Sequence, residues 1–167
     1  MSRSTGQPST ALLQAYLAAV YRVDLPGGEC QLRIGEVFDP GNALGPADTP
    51  WALVSACNPR SQPAPPMVNE AAHSQLRAQI DTEGLLSFPA HNSDGHGQHA
   101  EPGLLLLGIE PARADRLART FGQNAILAGR IGAPVRLRCY LGAWRGVAMD
   151  TAFVDWVGSG SSDDRRP

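Results

Sequence analysis

The run of apolar and polar positions divides the chain into helix-length and strand-length pieces. From Thr10, the apolar residues Leu12, Leu13, Tyr16, Leu17 and Val20 fall at helical spacing. Ala19 to Leu25 then has strand character. Leu25-Pro26-Gly27-Gly28-Glu29 is a turn signal, and Gln31 to Phe38 follows as a second strand, which predicts a hairpin. Residues 39–50 are polar and hold Pro40, Pro46 and Pro50, so they form a connection within the domain. Trp51 to Cys57 is a continuous apolar run of strand length, as a central strand covered on both faces requires. Asn58-Pro59 ends it, because Asn favours turns and Pro cannot donate to a ladder. Pro63, Pro65 and Pro66 stiffen the path into a helix from about Met67 to Glu83. Val68, Ala72, Leu76 and Ile80 predict its buried row, Glu70, Ser74, Arg77 and Asp81 its wet face, and Gly84 its cap.

Beyond that helix, Leu85 to Phe88 is a short strand, Pro89 to Pro102 a polar loop, and Leu104 to Ile109 a second central strand. Glu110-Pro111 opens a helix with an apolar stripe of Ala114, Leu117, Ala118 and Phe121, stopped by Gly122. Asn124 to Ala128 and Pro134 to Leu141 are strands; residues 143–157 are apolar without clean periodicity. The order over about 51–129 is βαββαβ, the split βαβ arrangement of a ferredoxin-like sandwich. The expected fold is therefore α+β, with that core extended by the N-terminal β-hairpin and a C-terminal strand. One domain is expected over 10–157, between disordered ends at 1–9 and 158–167.

Composition narrows the function classes. The net charge of −2 gives no field that favours nucleic acid or an acidic membrane. All 14 basic residues are Arg, so chemistry that needs a Lys, Schiff-base formation or a Walker-type phosphate loop, is absent. Cys30, Cys57 and Cys139 are odd in number and widely spaced. They suit reduced thiols and a cytoplasmic location better than a disulfide framework or a zinc knuckle. No run approaches a membrane span.

The best polar cluster is Asn58, Arg60, Ser61, Asn69, Gln123 and Asn124. In the expected sheet the strand 51–57 and the strand 124–128 are antiparallel neighbours, so the end of one meets the start of the other. The amides offer paired donors and acceptors to a ligand, and Arg60 a bidentate grip on phosphate or carboxylate. The same residues could instead serve turns, caps and buried backbone groups. A second cluster, His91, Asp94, His96, His99 and Glu101, has metal-ligand chemistry without helical spacing, and no metal or cofactor is expected. Glu101 alone, a carboxylate at a strand entry, is the candidate acid or base; it is expected at the sheet end opposite Asn58. His73 is expected at the boundary of its helix, and Arg113, Arg116 and Arg119, interleaved with Glu110 and Asp115, on a solvated face.

Several of these residues also match a family pattern. Ser55-Ala-Cys-Asn-Pro-Arg-Ser61, Asn69, Glu101-Pro-Gly-Leu-Leu-Leu and Leu117-Ala-Arg-Thr-Phe-Gly-Gln-Asn-Ala-Ile126 resemble the bacterial domain-of-unknown-function 3293 family over about 50–130. Cys57 stands where that pattern commonly has an aromatic, and Gly103 where it has Ser. The resemblance implies positions rather than a reaction. Two functions stay open: a domain that binds a polar small ligand or a protein partner, and a small enzyme acting on a nucleotide or other phosphorylated metabolite, with Arg60 for binding and Glu101 as acid or base.

Overall fold

The computed structural model describes residues 10–41, 44–93, 100–147 and 149–158. Three helices, α1 (Thr10–Ala18), α2 (Pro66–Thr82) and α3 (Pro111–Thr120), accompany eight strands. The strands are β1 (Val20–Leu25), β2 (Gly28–Leu32), β3 (Pro50–Ser55), β4 (Leu86–Ser93), β5 (Glu101–Leu107), β6 (Ala125–Arg130), β7 (Arg136–Cys139) and β8 (Val154–Trp156). They form one sheet in the order β2-β1-β4-β5-β3-β6-β7-β8. Every pairing is antiparallel except β7–β8. After β2 the chain crosses to β7, where Ile34 bridges Val135 and Val37 bridges Pro134.

The continuous apolar runs have a plain cause: both faces of the central strands are covered. On one face, Ala52, Val54, Leu104, Leu106, Ile126 and Ala128 pack with Leu76 and Ile80 of α2 and with Ala114, Leu117 and Ala118 of α3. On the other, Trp51, Leu53, Leu105, Leu107, Leu127 and Leu137 pack with Leu13 of α1, Phe38, Leu44 and Trp144. Strand alternation sends successive residues to opposite cores. Burial of one Leu such as Leu105 stabilises by about 1.5–3 kcal/mol, so the pair of layers supplies the main driving force. Gly129 makes room for Trp51, since a Cβ there would stand 3.0 Å from the indole ring.

The α+β class and the strand–helix order follow the sequence, but the sheet is larger than expected and several boundaries move. The second strand ends at Leu32 rather than Phe38, because the chain leaves β2 for the bridges to β7. The loop expected from Pro89 begins as strand: β4 continues to Ser93, paired with β5 on one side and, from Ala90, with β1 on the other. Pro89 precedes the β1-paired stretch, which is why a proline is tolerated there. The indistinct stretch 143–157 contains β8, whose parallel pairing to β7 has no local signal. Val68, expected in the buried row of α2, is 52% exposed, because the helix reaches the sheet only from Ala72 onward. Asp115, expected among solvated charges, is buried in α3, where Arg138 holds it bidentately at 2.9 and 2.8 Å and the Tyr140 hydroxyl donates at 2.8 Å. Arg119 lies over the Tyr140 ring and Arg113 pairs with Glu83. The ends at 1–9 and 159–167 lie outside the described residues. No described helix is long and apolar enough to cross a membrane.

Candidate functional site

The polar site grows from the end of β3. Asn58, Arg60 and Ser61 all adopt positive φ, between 48° and 57°. Such left-handed backbone costs about 1–2 kcal/mol at each non-glycine residue, so other bonds must hold the turn. The Arg60 amide donates to the Gly122 carbonyl at 2.7 Å. Gly122 has φ +66°, and a Cβ on it would lie 3.0 Å from Cβ of Pro59. Glycine is thus required there both for the backbone angle and for the approach of the turn.

Asn69 of α2 is the second tie. Its Oδ1 accepts from the Asn58 amide at 2.9 Å, and its Nδ2 donates to Oδ1 of Asn58 at 2.9 Å and to the Ala64 carbonyl at 3.4 Å. Oδ1 of Asn58 also accepts from the Ala64 amide at 2.9 Å. Because a backbone N–H can only donate, the Asn58 side-chain orientation is fixed. Its Nδ2 therefore points to Oε1 of Glu101 and donates to it.

That contact corrects the expectation for Glu101. Antiparallel β3 and β5 run in opposite senses, with Ser55 opposite Gly103, so the entry of β5 lies beside the exit of β3. Glu101 and Asn58 share one end of the sheet, and no loop needs to fold back to unite them.

Gln123 and Asn124, at the entry of β6, complete the cluster. Nε2 of Gln123 donates to the carbonyls of Cys57 at 3.0 Å and Phe121 at 3.3 Å, which leaves its Oε1 without a protein partner among the described residues. Nδ2 of Asn124 donates to Oγ of Ser61 at 2.8 Å, and Ser61 also shares a 2.8 Å hydrogen bond with the Tyr16 hydroxyl of α1. The four segments meet because β3, β5 and β6 are neighbours and α1 lies across that end of the sheet.

Between α1 and this cluster is a cavity of about 520 Å³, with apolar walls from Leu12, Ala15, Ala19 and Pro63. Asn58, Ser61, Gln123 and Glu101 line it, joined by Tyr16, Tyr21, Asn92 and Ser93. A recess of about 40 Å³ lies against it and shares Tyr16, Tyr21, Asn92, Glu101 and Gln123. Of the six residues expected to bind a ligand, Asn58, Ser61 and Gln123 reach the cavity. Asn69 and Asn124 stand behind it as supports for the turn and for Ser61. Arg60 is exposed and outside the lining, because its left-handed backbone belongs to the outer side of the turn.

The electrostatics favour neutral groups around a single carboxylate. Burial raises the Tyr16 hydroxyl above its ordinary value; the bond to Ser61 opposes this and the Glu101 charge reinforces it. Burial, then the charges of Tyr16 and Glu101, also push Tyr21 upward. Cys57 is likewise raised, chiefly by burial, so its thiol is a poor nucleophile.

The histidine-rich segment divides. His91 is in β4, opposite Arg22 and Pro102, while Asp94, His96 and His99 lie outside the described residues. Among the described residues no group of three or more His, Cys, Asp or Glu could hold a metal ion. His73 is half-buried on α2, as expected, and its pKa is lowered by burial and by Arg77.

Tyr16 and Asn92 are the contributions that the sequence did not announce. Tyr16 belongs to the apolar stripe of α1, and its hydroxyl is the one sign that this stripe faces something polar. Asn92 falls in the loop expected over Pro89 to Pro102; its place on β4, opposite Glu101, follows from a pairing that crosses the chain.

Comparison with curated proteins and with solved structures finds no match. A family model does match, over a span that contains the turn, Asn69, Glu101 and Gln123 but not α1. Residues 54–126 match the family described as Protein of unknown function (DUF3293).

Proposed function

We propose that the protein binds a small polar ligand in the cavity between α1 and the 58–63 turn, as one domain over 10–157 working in a bacterial cytoplasm. The observation that carries this reading is the convergence of Glu101, Asn58, Ser61, Gln123 and Tyr16 on one concavity of about 520 Å³. That volume is within the roughly 300–1,000 Å³ of small-molecule sites, which combine apolar walls with a few fixed polar groups. The strained turn, braced from two sides, supports the reading further, since such strain persists where the surroundings over-determine it. Three cysteines that form no disulfide support the location. The order β4-β5-β3-β6, with α2 and α3 as crossovers on one face, supports a ferredoxin-like split βαβ core within the larger sheet.

A second reading, an enzyme with Glu101 as acid or base, draws on the carboxylate at the cavity. A phosphorylated substrate has less support, because Arg60 is outside the lining.

The test is a thermal-shift screen of polar metabolites against the wild-type chain and Ala15→Trp. Ala15 is exposed on α1 and lines the cavity, so Trp fills the cavity at little cost to the core. A ligand of this site raises the melting temperature of the wild type by mass action and does not raise that of the variant. Hits that stabilise both chains equally would refute the cavity as the site, and silence across the whole screen would favour a protein partner.

A further inference from the structure

The chemistry of the cavity narrows its ligand, given that the cavity is a ligand site as proposed above. Around the shared recess, otherwise walled by Leu53, Ala125, Ile126, Leu127 and Leu137, the open acceptors are on Gln123, Asn92 and Glu101, and the amide of Asn92 adds a donor. Nε2 of Gln123 is spent on two backbone carbonyls, and Oε1 is left over. Oδ1 of Asn92 is buried and has no hydrogen-bond partner among the described residues. Among the described residues the carboxylate of Glu101 receives one hydrogen bond, from Asn58. Among the described lining residues of both chambers, Glu101 is the single charged side chain.

A buried acceptor without a donor, such as Oδ1 of Asn92, is costly, and a carboxylate next to it deepens the negative potential. The Glu101 charge is felt on Tyr16, Tyr21 and Cys57 alike. An anion would meet repulsion there. A neutral polar group would leave the charge uncompensated. An ammonium group brings three donors, no acceptor and one positive charge. The recess of about 40 Å³ has room for a group of that size, since a water needs roughly 10–15 Å³ on the same measure. The outer chamber, walled by Leu12, Ala15, Ala19 and Pro63, suits an apolar body.

We propose that the ligand is a small primary amine: an ammonium head held by Glu101, Asn92 and Gln123 in the recess, with a compact apolar body against α1. Binding is non-covalent and needs no co-reactant.

Benzylamine, benzyl alcohol and benzoate are suitable probes, because they share a body and differ in the charge of the head. Calorimetric titration of the full chain at neutral pH is expected to show benzylamine binding more tightly than the other two. Glu101→Gln keeps an acceptor for Asn58 and so preserves the turn, yet is expected to weaken benzylamine by about tenfold or more through loss of the charge-assisted bond. Asn92→Leu removes an acceptor that bonds nothing among the described residues. It is expected to leave the melting temperature unchanged or higher while weakening benzylamine.

Equal affinity for benzylamine in the wild type and in a folded Glu101→Gln would overturn the proposal. Preferential binding of benzoate or benzyl alcohol, abolished by Ala15→Trp, would overturn the amine and leave the cavity standing as a ligand site. No binding by any of the three would also overturn the amine, and the cavity itself would then stand or fall by the metabolite screen.

Discussion

Asn69→Ala should loosen the turn that presents Asn58 to Glu101. The side chain removed makes three hydrogen bonds, at 2.9, 2.9 and 3.4 Å, and two of them are to Asn58 itself. With net values of about 0.5–1.5 kcal/mol for a neutral bond, and the longest bond contributing least, the direct loss is about 2 kcal/mol. Two further effects oppose each other. The half-buried amide of Asn58 loses its acceptor, a cost of about 1–3 kcal/mol if water cannot reach it. A freed turn can in turn relax Asn58, Arg60 and Ser61 from their left-handed angles, each worth about 1 kcal/mol or more. Relaxation and orphaning roughly cancel, so a destabilisation of about 2 kcal/mol is expected. Urea unfolding measures it directly: the midpoint should fall while the slope, set by the surface exposed on unfolding, stays constant. A change below about 0.5 kcal/mol, the scale of an ordinary surface substitution, would refute the role of Asn69 as a structural tie.

Three further outcomes follow from the same contacts. Gly122→Ala should destabilise by about 1–2 kcal/mol from the positive φ alone, and more if Pro59 cannot shift; thermal unfolding reads it. Asp115→Ala strands Arg138 in a mostly buried setting and should cost about 3 kcal/mol or more by denaturant titration. Asp115 also makes a pH prediction: burial would raise its carboxyl, but Arg138 and Tyr140 outweigh burial and hold it below the ordinary value. A carboxyl lowered on folding contributes stability that is present above its unfolded pKa and lost as pH falls through the folded one. The wild type should therefore lose stability below about pH 4, and Asp115→Asn should show a flatter profile in that range.

The apolar pattern carried most of the fold because both cores obey strand alternation. Trp51 to Ser55 and Leu104 to Leu107 could be recognised as central strands from composition alone, since neither face needs a polar residue. What escaped was set by contacts distant in sequence. β8 is three residues long and pairs in parallel with β7, so no turn or alternation marks it. Asp115 looked solvated because its partners, Arg138 and Tyr140, arrive from another strand. Half of the site was legible for a topological reason: antiparallel β3 and β6 bring Asn58–Ser61 to Gln123 and Asn124. The same reasoning, applied to β3 and β5, also brings Glu101 to Asn58; the expectation failed by reversing the direction of β5, not for want of a signal. Tyr16 required the tertiary placement of α1, which no local pattern encodes.

The central claim is that the cavity between α1 and the braced turn is a ligand site. Backbone amide NMR during titration with a hit from the metabolite screen tests it most directly. Shifts are expected to concentrate at Tyr16, Asn58, Asn92, Glu101 and Gln123 and to be absent in Ala15→Trp. Shifts that leave these residues untouched and gather on the exposed start of α2, around Met67 and Val68, would contradict it.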